Sequence, residues 1–195
     1  MVFLRSPFSP ELPTALAGDK VTLRVPQMSD FEQWTELREK SRSFLVPWEP
    51  VWPSDDLTKT AFRFRIKRYW RDIEDDLAYP FFIHDPRRDE LLGGLTLSNV
   101  RRGVAQMASA GYWIGEAFSR RGYMTDALRT VVPYAFEHLR LHRLEAACLP
   151  TNEASIRLLR KCGFVEEGIA RKYLKINGRW EDHLLFGLVA GEQPR

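Results

Sequence analysis

Gly122, with Arg120 and Arg121 before it, forms the one loop in this chain whose residue types and spacing are suited to holding an anion. The loop lies in Gly111-Tyr-Trp-Ile-Gly-Glu-Ala-Phe-Ser-Arg-Arg-Gly-Tyr-Met-Thr-Asp-Ala-Leu128. There an aromatic and β-branched run, Tyr112-Trp113-Ile114, precedes a short basic loop and then apolar residues at helical spacing. Strand, turn and helix in that order aim the first turn of the helix, with its unpartnered N–H groups and the positive end of its dipole, at whatever sits in front of the loop. Such a terminus attracts phosphate without needing a particular side chain. Gly122 allows close approach or positive φ, and the two arginines add charge. Two familiar phosphate loops are excluded by pattern: neither G-x-G-x-x-G nor G-x-x-x-x-G-K-[ST] occurs.

A second pair, Asn152 and Ser155, is three residues apart, so both side chains lie on one side of a first helical turn. As structure, Asn152 is a helix N-cap and Ser155 a polar residue behind it; as chemistry, they offer an amide and a hydroxyl at one point. Candidate proton acceptors are Glu116, His84 and Glu167. A single histidine at a strand end is more often structural, and proton removal through ordered water needs no dedicated residue.

These residues need elements to position them. Val21–Val25 alternates and suggests a strand ended by Pro26, after a Pro-rich arm on the surface up to about Gly18. Asp30 is expected to cap a helix carrying Phe31, Trp34 and Leu37. Pro47, Pro50 and Pro53, interleaved with Trp48 and Trp52, argue against a regular element; this loop is either an inert connection or part of a recognition surface. Thr58–Asp75 places Phe62, Ile66, Tyr69, Trp70 and Ile73 at helical spacing.

Tyr79–His84, Leu91–Asn99 and Ala108–Ile114 read as strands of a meander. Met124, Ala127, Leu128, Val131, Ala135, Phe136 and Leu139 form the apolar stripe of the helix behind the anion loop, with Pro133 expected to kink it. Arg143–Leu149 reads as a buried strand, parallel to its predecessor because a helix joins them. Asn152 and Gly163 bracket a short helix. Asn177-Gly178 signals a type I′ hairpin between strands, and His183–Val189 closes the chain.

With these elements in place, the stretch around Gly122 resembles the coenzyme A pyrophosphate loop of the Gcn5-related N-acetyltransferases (the GNAT superfamily). There a bulged strand leads into Gln/Arg-x-x-Gly-x-Gly/Ala and a helix; Gly122 fits, while Ser119 and Met124 depart from the pattern. Thr151-Asn-Glu-Ala-Ser-Ile-Arg-Leu-Leu-Arg-Lys-Cys-Gly-Phe-Val-Glu-Glu-Gly168 is similar to the family's other signature. With His142-Arg143 before it and Tyr173-Leu-Lys-Ile-Asn-Gly-Arg-Trp-Glu-Asp-His183 after it, the run resembles the ribosomal-protein N-acetyltransferases of the RimJ and RimL branch. The resemblance spans roughly Gly18 to Val189.

It implies a mixed α/β fold: a mostly antiparallel twisted sheet of about seven strands, flanking helices, and a V-shaped splay between the fourth and fifth strands. It implies acetyl-coenzyme A as acetyl donor, no metal, and coenzyme contacts from Ile114, Arg120, Arg121, Gly122, Tyr123, Met124, Thr125, Asn152 and Ser155. In relatives the residue at the position of Ser155 faces the coenzyme sulfur, often with a tyrosine slightly further on; this helix has none, so Ser155 is assigned the acid role. The acceptor it implies is the N-terminal α-amino group of a ribosomal protein. Alternatives are a small amine (polyamine, amino acid or antibiotic) or non-catalytic coenzyme A binding.

Composition agrees with one folded domain over residues 1–195: 44% hydrophobic and 28% charged residues are near the globular average. No apolar run approaches a membrane span, the N-terminus lacks the pattern of a signal peptide, and two cysteines without ligand spacing suit reduced intracellular thiols, so a cytoplasmic enzyme, monomer or dimer, is expected. A net charge of +3 does not argue for sequence-specific nucleic-acid binding. The cluster Arg63, Arg65, Lys67, Arg68 and Arg71 is either a solvated helix face or a docking surface for an RNA-rich partner.

Overall fold

A computed structural model describes residues 13–192. Eight strands form one sheet: β1 (Leu16–Ala17), β2 (Thr22–Arg24), β3 (Tyr79–Asp85), β4 (Glu90–Arg101), β5 (Met107–Ile114), β6 (Arg143–Cys148), β7 (Val165–Ile176) and β8 (Arg179–Val189). Their order across the sheet is β1-β2-β3-β4-β5-β6-β8-β7. Every neighbouring pair is antiparallel except β5 and β6. The eighth strand, beyond the seven expected, comes from the end of the N-terminal arm, where Leu16–Ala17 pairs with β2 as a short edge; the earlier part of that arm, residues 1–12, lies outside the described residues.

Helices cover both faces. Against one face, α4 (Tyr123–Pro133) and α5 (Glu153–Lys161) bury Met124, Ala127, Leu128, Val131 and Leu159 among sheet residues such as Leu95, Leu97 and Leu144. A second cluster packs Trp34 of α1 (Phe31–Lys40) and Phe62 and Ile66 of α3 (Lys59–Glu74) on Phe82 and Leu91. The apolar spacing of α3 predicts this, except that Trp70 is exposed.

Local chemistry departs from expectation at two points and follows it at a third. Asp30 does not cap α1 through its side chain: its buried carboxylate takes two guanidinium hydrogen bonds from Arg24, at 2.9 and 2.5 Å, and one from the backbone N–H of Gln27. A bidentate cation compensates a buried carboxylate better than one helix N–H. The Pro-Trp stretch begins in regular structure: after a short helix α2 (Arg42–Leu45), a 3₁₀ turn Val46–Trp48 carries Pro47 inside its first turn, where the absent N–H costs nothing. The α-helix ends at Pro133, where an interruption is expected, and the chain continues into a π-helical turn, Tyr134–His138, whose wider bonding runs from Leu139 N–H to Tyr134 C=O.

The expected splay is present. Parallel pairing joins Met107–Ser109 of β5 to Arg143–Glu145 of β6 and then stops, so residues 110–114 keep a backbone edge toward β6 with no strand on it. On its other side β5 stays paired to β4 as far as Gly93↔Ile114. There β4 comes very close: a Cβ on Gly93 would collide with the carbonyl oxygen of Trp113 and lie 3.0 Å from Ile114 Cα. Gly93→Ala is therefore expected to cost about 2 kcal/mol through overpacking, a Tm drop of roughly 4–8 °C by calorimetry; an unchanged Tm would show that the strands part freely there.

Candidate active site

The loop after β5 begins at Gly115, whose N–H donates to Leu92 C=O at 2.9 Å. A 3₁₀ turn, Glu116–Phe118, follows, and the Glu116 N–H donates to Ser41 Oγ at 3.0 Å, tying the loop to the segment after α1. Arg120 (φ +59) and Gly122 (φ +86) then take left-handed backbone, which brings the chain round into α4. The N–H groups of Tyr123, Met124 and Thr125 stand in the first turn and have no intrahelical acceptor. Met124 contributes no more than this backbone group, because its side chain is in the core. Arg120 and Arg121 are exposed at the mouth.

A third cation, not singled out by the sequence, joins them. Asp126, one turn into α4, accepts hydrogen bonds from the backbone N–H groups of Asp19, Lys20 and Val21, at 3.3, 2.7 and 3.1 Å. This clamps the β1–β2 turn onto the helix start, where Gly18 fits because a Cβ there would lie 2.5 Å from Thr130 Oγ1. The Lys20 ammonium is then 3.4 Å from where a Gly122 Cβ would be. No local motif marks Lys20; over a hundred residues separate it from the loop.

On the far side of the V, Asn152 Oδ1 accepts the Ser155 N–H at 3.1 Å and so caps α5. The cap holds Ser155 at the base of the splay, buried, with its Oγ 2.6 Å from Tyr112 Oη on β5. Cys148, at the end of β6, is buried. Burial pushes the Tyr112 phenol well above its ordinary pKa, and burial likewise raises the Cys148 thiol, so both stay protonated near neutrality. Strand alternation explains the geometry: Tyr112 and Ile114 pack toward the α4–α5 side, while Trp113 joins the α1–α3 cluster. α5 itself carries no tyrosine; the phenol beside Ser155 comes from the strand across the V.

The proton-acceptor candidates separate. Glu167 is engaged by the Arg143 guanidinium, at 2.8 Å from Nη1, which lowers its pKa. His84 is buried on β3; its ring nitrogens have no hydrogen-bond partner among the described residues, and desolvation lowers its pKa. Glu116 is exposed and lines an open groove of about 510 Å³ with Glu36, Glu90, Lys40, Leu37 and Phe118.

The Pro-Trp segment is pinned rather than loose. Arg38, itself buried, makes two hydrogen bonds to Glu49 at 2.8 and 2.7 Å, and its guanidinium lies 4.0 Å from the ring centre of Trp52 and 5.0 Å from that of Trp113. Trp52 Nε1 donates to Glu49 at 2.7 Å, and Asn177 of the β7–β8 turn donates its N–H to the Glu49 carbonyl at 2.8 Å. Asn177 and Gly178 both have positive φ, as a type I′ turn requires.

This arrangement fits a phosphorylated, extended ligand. Free N–H groups and three cations face its anionic part, an unpaired strand edge runs along its length, and a protonated hydroxyl pair stands where β5 and α5 meet. The comparisons with known proteins agree. Residues 20–165 match the family model described as an acetyltransferase (GNAT) domain. The chain is 39% identical over 174 residues to the probable N-acetyltransferase YjcK of Bacillus subtilis, covering 89% of this chain and 96% of that protein. It is 32% identical to the [ribosomal protein uS5]-alanine N-acetyltransferase of Escherichia coli, covering 89% and 90%. The structure of Mycobacterium smegmatis RimJ in complex with CoA-disulfide aligns with a TM-score of 0.90 at 31% identity, covering 95% of this chain and 92% of that one. Carrying the splayed sheet, the glycine loop and these likenesses along most of its length, the chain belongs to the GNAT acetyltransferase family and is an acetyl-coenzyme A-dependent N-acetyltransferase.

Proposed function

We propose that this enzyme acetylates the N-terminal α-amino group of a ribosomal protein by direct attack in a ternary complex. The observation that carries the reading is the likeness to the uS5-alanine N-acetyltransferase, which spans 90% of that enzyme; the RimJ likeness supports it. An α-amino group has a pKa near 7.7–8.0, so about a tenth or more is neutral at pH 7 and water suffices to take its proton. No strong base is needed, which suits a site where Glu167 is ion-paired and His84 is buried.

Acetyl-coenzyme A supplies the thioester carbonyl that the amine attacks. The N–H groups of Tyr123, Met124 and Thr125, with Lys20, Arg120 and Arg121, hold its phosphates, and the open edge of β5 up to Ile114 takes the arm like an added strand. Tyr112 donates to Ser155 Oγ, which turns the Ser155 proton toward the leaving sulfur. As the C–N bond forms and the C–S bond breaks, that proton goes to sulfur, Ser155 recovers one from Tyr112, which is reprotonated from solvent, and the amine loses its proton to water. Asn152 positions Ser155 by capping its helix.

Lys20→Ala is expected to raise the KM for acetyl-coenzyme A about three- to tenfold with kcat unchanged, the scale of one charge-assisted contact. An unaltered KM would remove Lys20 from the phosphate site.

The groove carrying Glu36, Glu90 and Glu116 beside the coenzyme loop favours a second reading, a small polycationic amine as acceptor. Thiol release from acetyl-coenzyme A, measured with ribosomal N-terminal peptides beside spermidine and free amino acids, separates the two. Turnover with one peptide, located to its α-amino group by mass, supports the proposal; turnover with small amines alone overturns it.

A further inference from the structure

The outer face of α3 combines charge and exposed aromatic surface in a way the acetyl-transfer site does not use. Arg63, Lys67 and Arg71 follow one another at i, i+4 and i+8 along the exposed side of the helix, with Arg68 beside them. None of these four cations is in an ion pair among the described residues; Arg65, turned toward Asp56 at 2.5 Å, is the member of the sequence cluster that is. Two large aromatics flank the row, Phe64 at 65% and Trp70 at 43% exposure. The acids nearest in chain are Asp72, Glu74, Asp75 and Asp76 at the end of the helix and Asp55 and Asp56 before its start; Asp72 lies about 100° around the helix from Arg71, Asp76 is taken up by Arg102 and Asp56 by Arg65.

We propose that this face of α3 is an RNA-docking surface. Unpaired cations in a row suit a phosphate backbone, and solvent-facing aromatic rings beside them suit unstacked bases, a combination that single-stranded RNA rewards and an acidic protein surface does not. The location gives the surface a use, which rests on the ribosomal-protein reading above. At 16 residues α3 is about 24 Å long. Near its N-terminal end Arg65 pairs with Asp56, three residues after Pro53 at the end of the Pro-Trp segment, and that segment reaches Trp113 of β5 through Trp52 and Arg38. RNA held along α3 would present a protein N-terminus emerging from the same particle to the acceptor side.

The test is fluorescence anisotropy of the whole protein with a short labelled single-stranded RNA, over a range of KCl concentrations. Four phosphate contacts on a single strand give a slope of log K against log salt near −2.8, about −0.7 for each. The variant R63Q/K67Q/R71Q is expected to bring the slope to about −0.7 and weaken binding at least tenfold. F64A/W70A should weaken binding several-fold with the slope unchanged. Both variants should acetylate a free N-terminal peptide with the kcat/KM of the native chain, which shows that they are folded. RNA binding that is absent at low salt, or indifferent to the triple substitution, overturns the proposal. So does displacement of RNA by polyglutamate that binds equally tightly to F64A/W70A, the result expected of an acidic-protein surface. RNA binding as described in an enzyme that acetylates only small amines would leave the surface standing and sink the ribosomal-protein reading instead.

Discussion

Ser155→Ala is expected to lower kcat about a hundredfold, the lower end of what a positioned proton donor contributes, while the Kd for acetyl-coenzyme A stays within about a factor of two. The alanine keeps the Ser155 N–H that Asn152 accepts, so the α5 cap and the V survive and only the hydroxyl is lost. Tyr112→Phe should cost less than this, because Ser155 retains its own proton and loses only the partner that aims it. The two losses should not add: the double variant is expected to match Ser155→Ala, since the hydroxyls act as one unit across a 2.6 Å contact. Single-turnover kinetics with saturating coenzyme reads the chemical step directly, and unchanged turnover in Ser155→Ala removes the serine from the mechanism.

The same geometry predicts a pH profile. A phenol whose pKa is raised remains a hydrogen-bond donor at higher pH than a free tyrosine does, so ionisation of Tyr112 does not limit the rate in the mildly alkaline range. The rise of kcat/KM with pH should follow loss of the acceptor's proton near 7.7–8.0 and then level off, with no fall by pH 9.5. A bell with its descending limb near 8–9 would show that some other acid supplies the proton.

Gly122→Val should raise the Kd for acetyl-coenzyme A at least tenfold, by titration calorimetry, with a smaller effect on kcat at saturation. The reason is conformation more than space: a Cβ at Gly122 meets nothing closer than the Lys20 ammonium at 3.4 Å, yet φ is +86, a region that costs a β-branched residue on the order of 1–3 kcal/mol. The loop must shift to relieve that strain, and the shift moves the N–H groups that hold phosphate. The helix behind it stays put because Ala127, Leu128 and Val131 are fully buried. Gly122→Asn should recover much of the affinity, since asparagine tolerates the left-handed region. Full-affinity binding by Gly122→Val would defeat the assignment of this loop.

Elements whose signals are local were legible in the residues. The helix Thr58 caps and Phe62, Ile66 and Ile73 bury is found one residue inside the expected limits at each end, Lys59–Glu74, and the Asn177-Gly178 turn has the two positive φ angles its residues demand. The glycine loop, the parallel pairing of β5 with β6 and the cap at Asn152 also follow from short-range chemistry: a strand, a breaker and a helix, each announced by its own periodicity. Departures came where a distant partner outbids a local one. Asp30 is a good capping residue, but Arg24 offers it two charged hydrogen bonds once β2 lies beside the helix start. Leu16 and Ala17 carry no strand pattern long enough to read, and they become β1 because the edge of β2 was free to accept them.

What the sequence determined alone is therefore the scaffold and the glycine loop: the order of strands and helices, the left-handed turn at Gly122 and the helix terminus behind it. Contacts between residues far apart in the chain required the tertiary structure. The partnership of Tyr112 with Ser155, the clamp of Asp126 on the β1–β2 turn that delivers Lys20, and the ion pair that withdraws Glu167 join residues separated by 43, about 106 and 24 positions. Periodicity and capping act within one or two turns, whereas these pairings exist only after the sheet has brought its strands into register, and catalytic geometry is made of pairings of that kind.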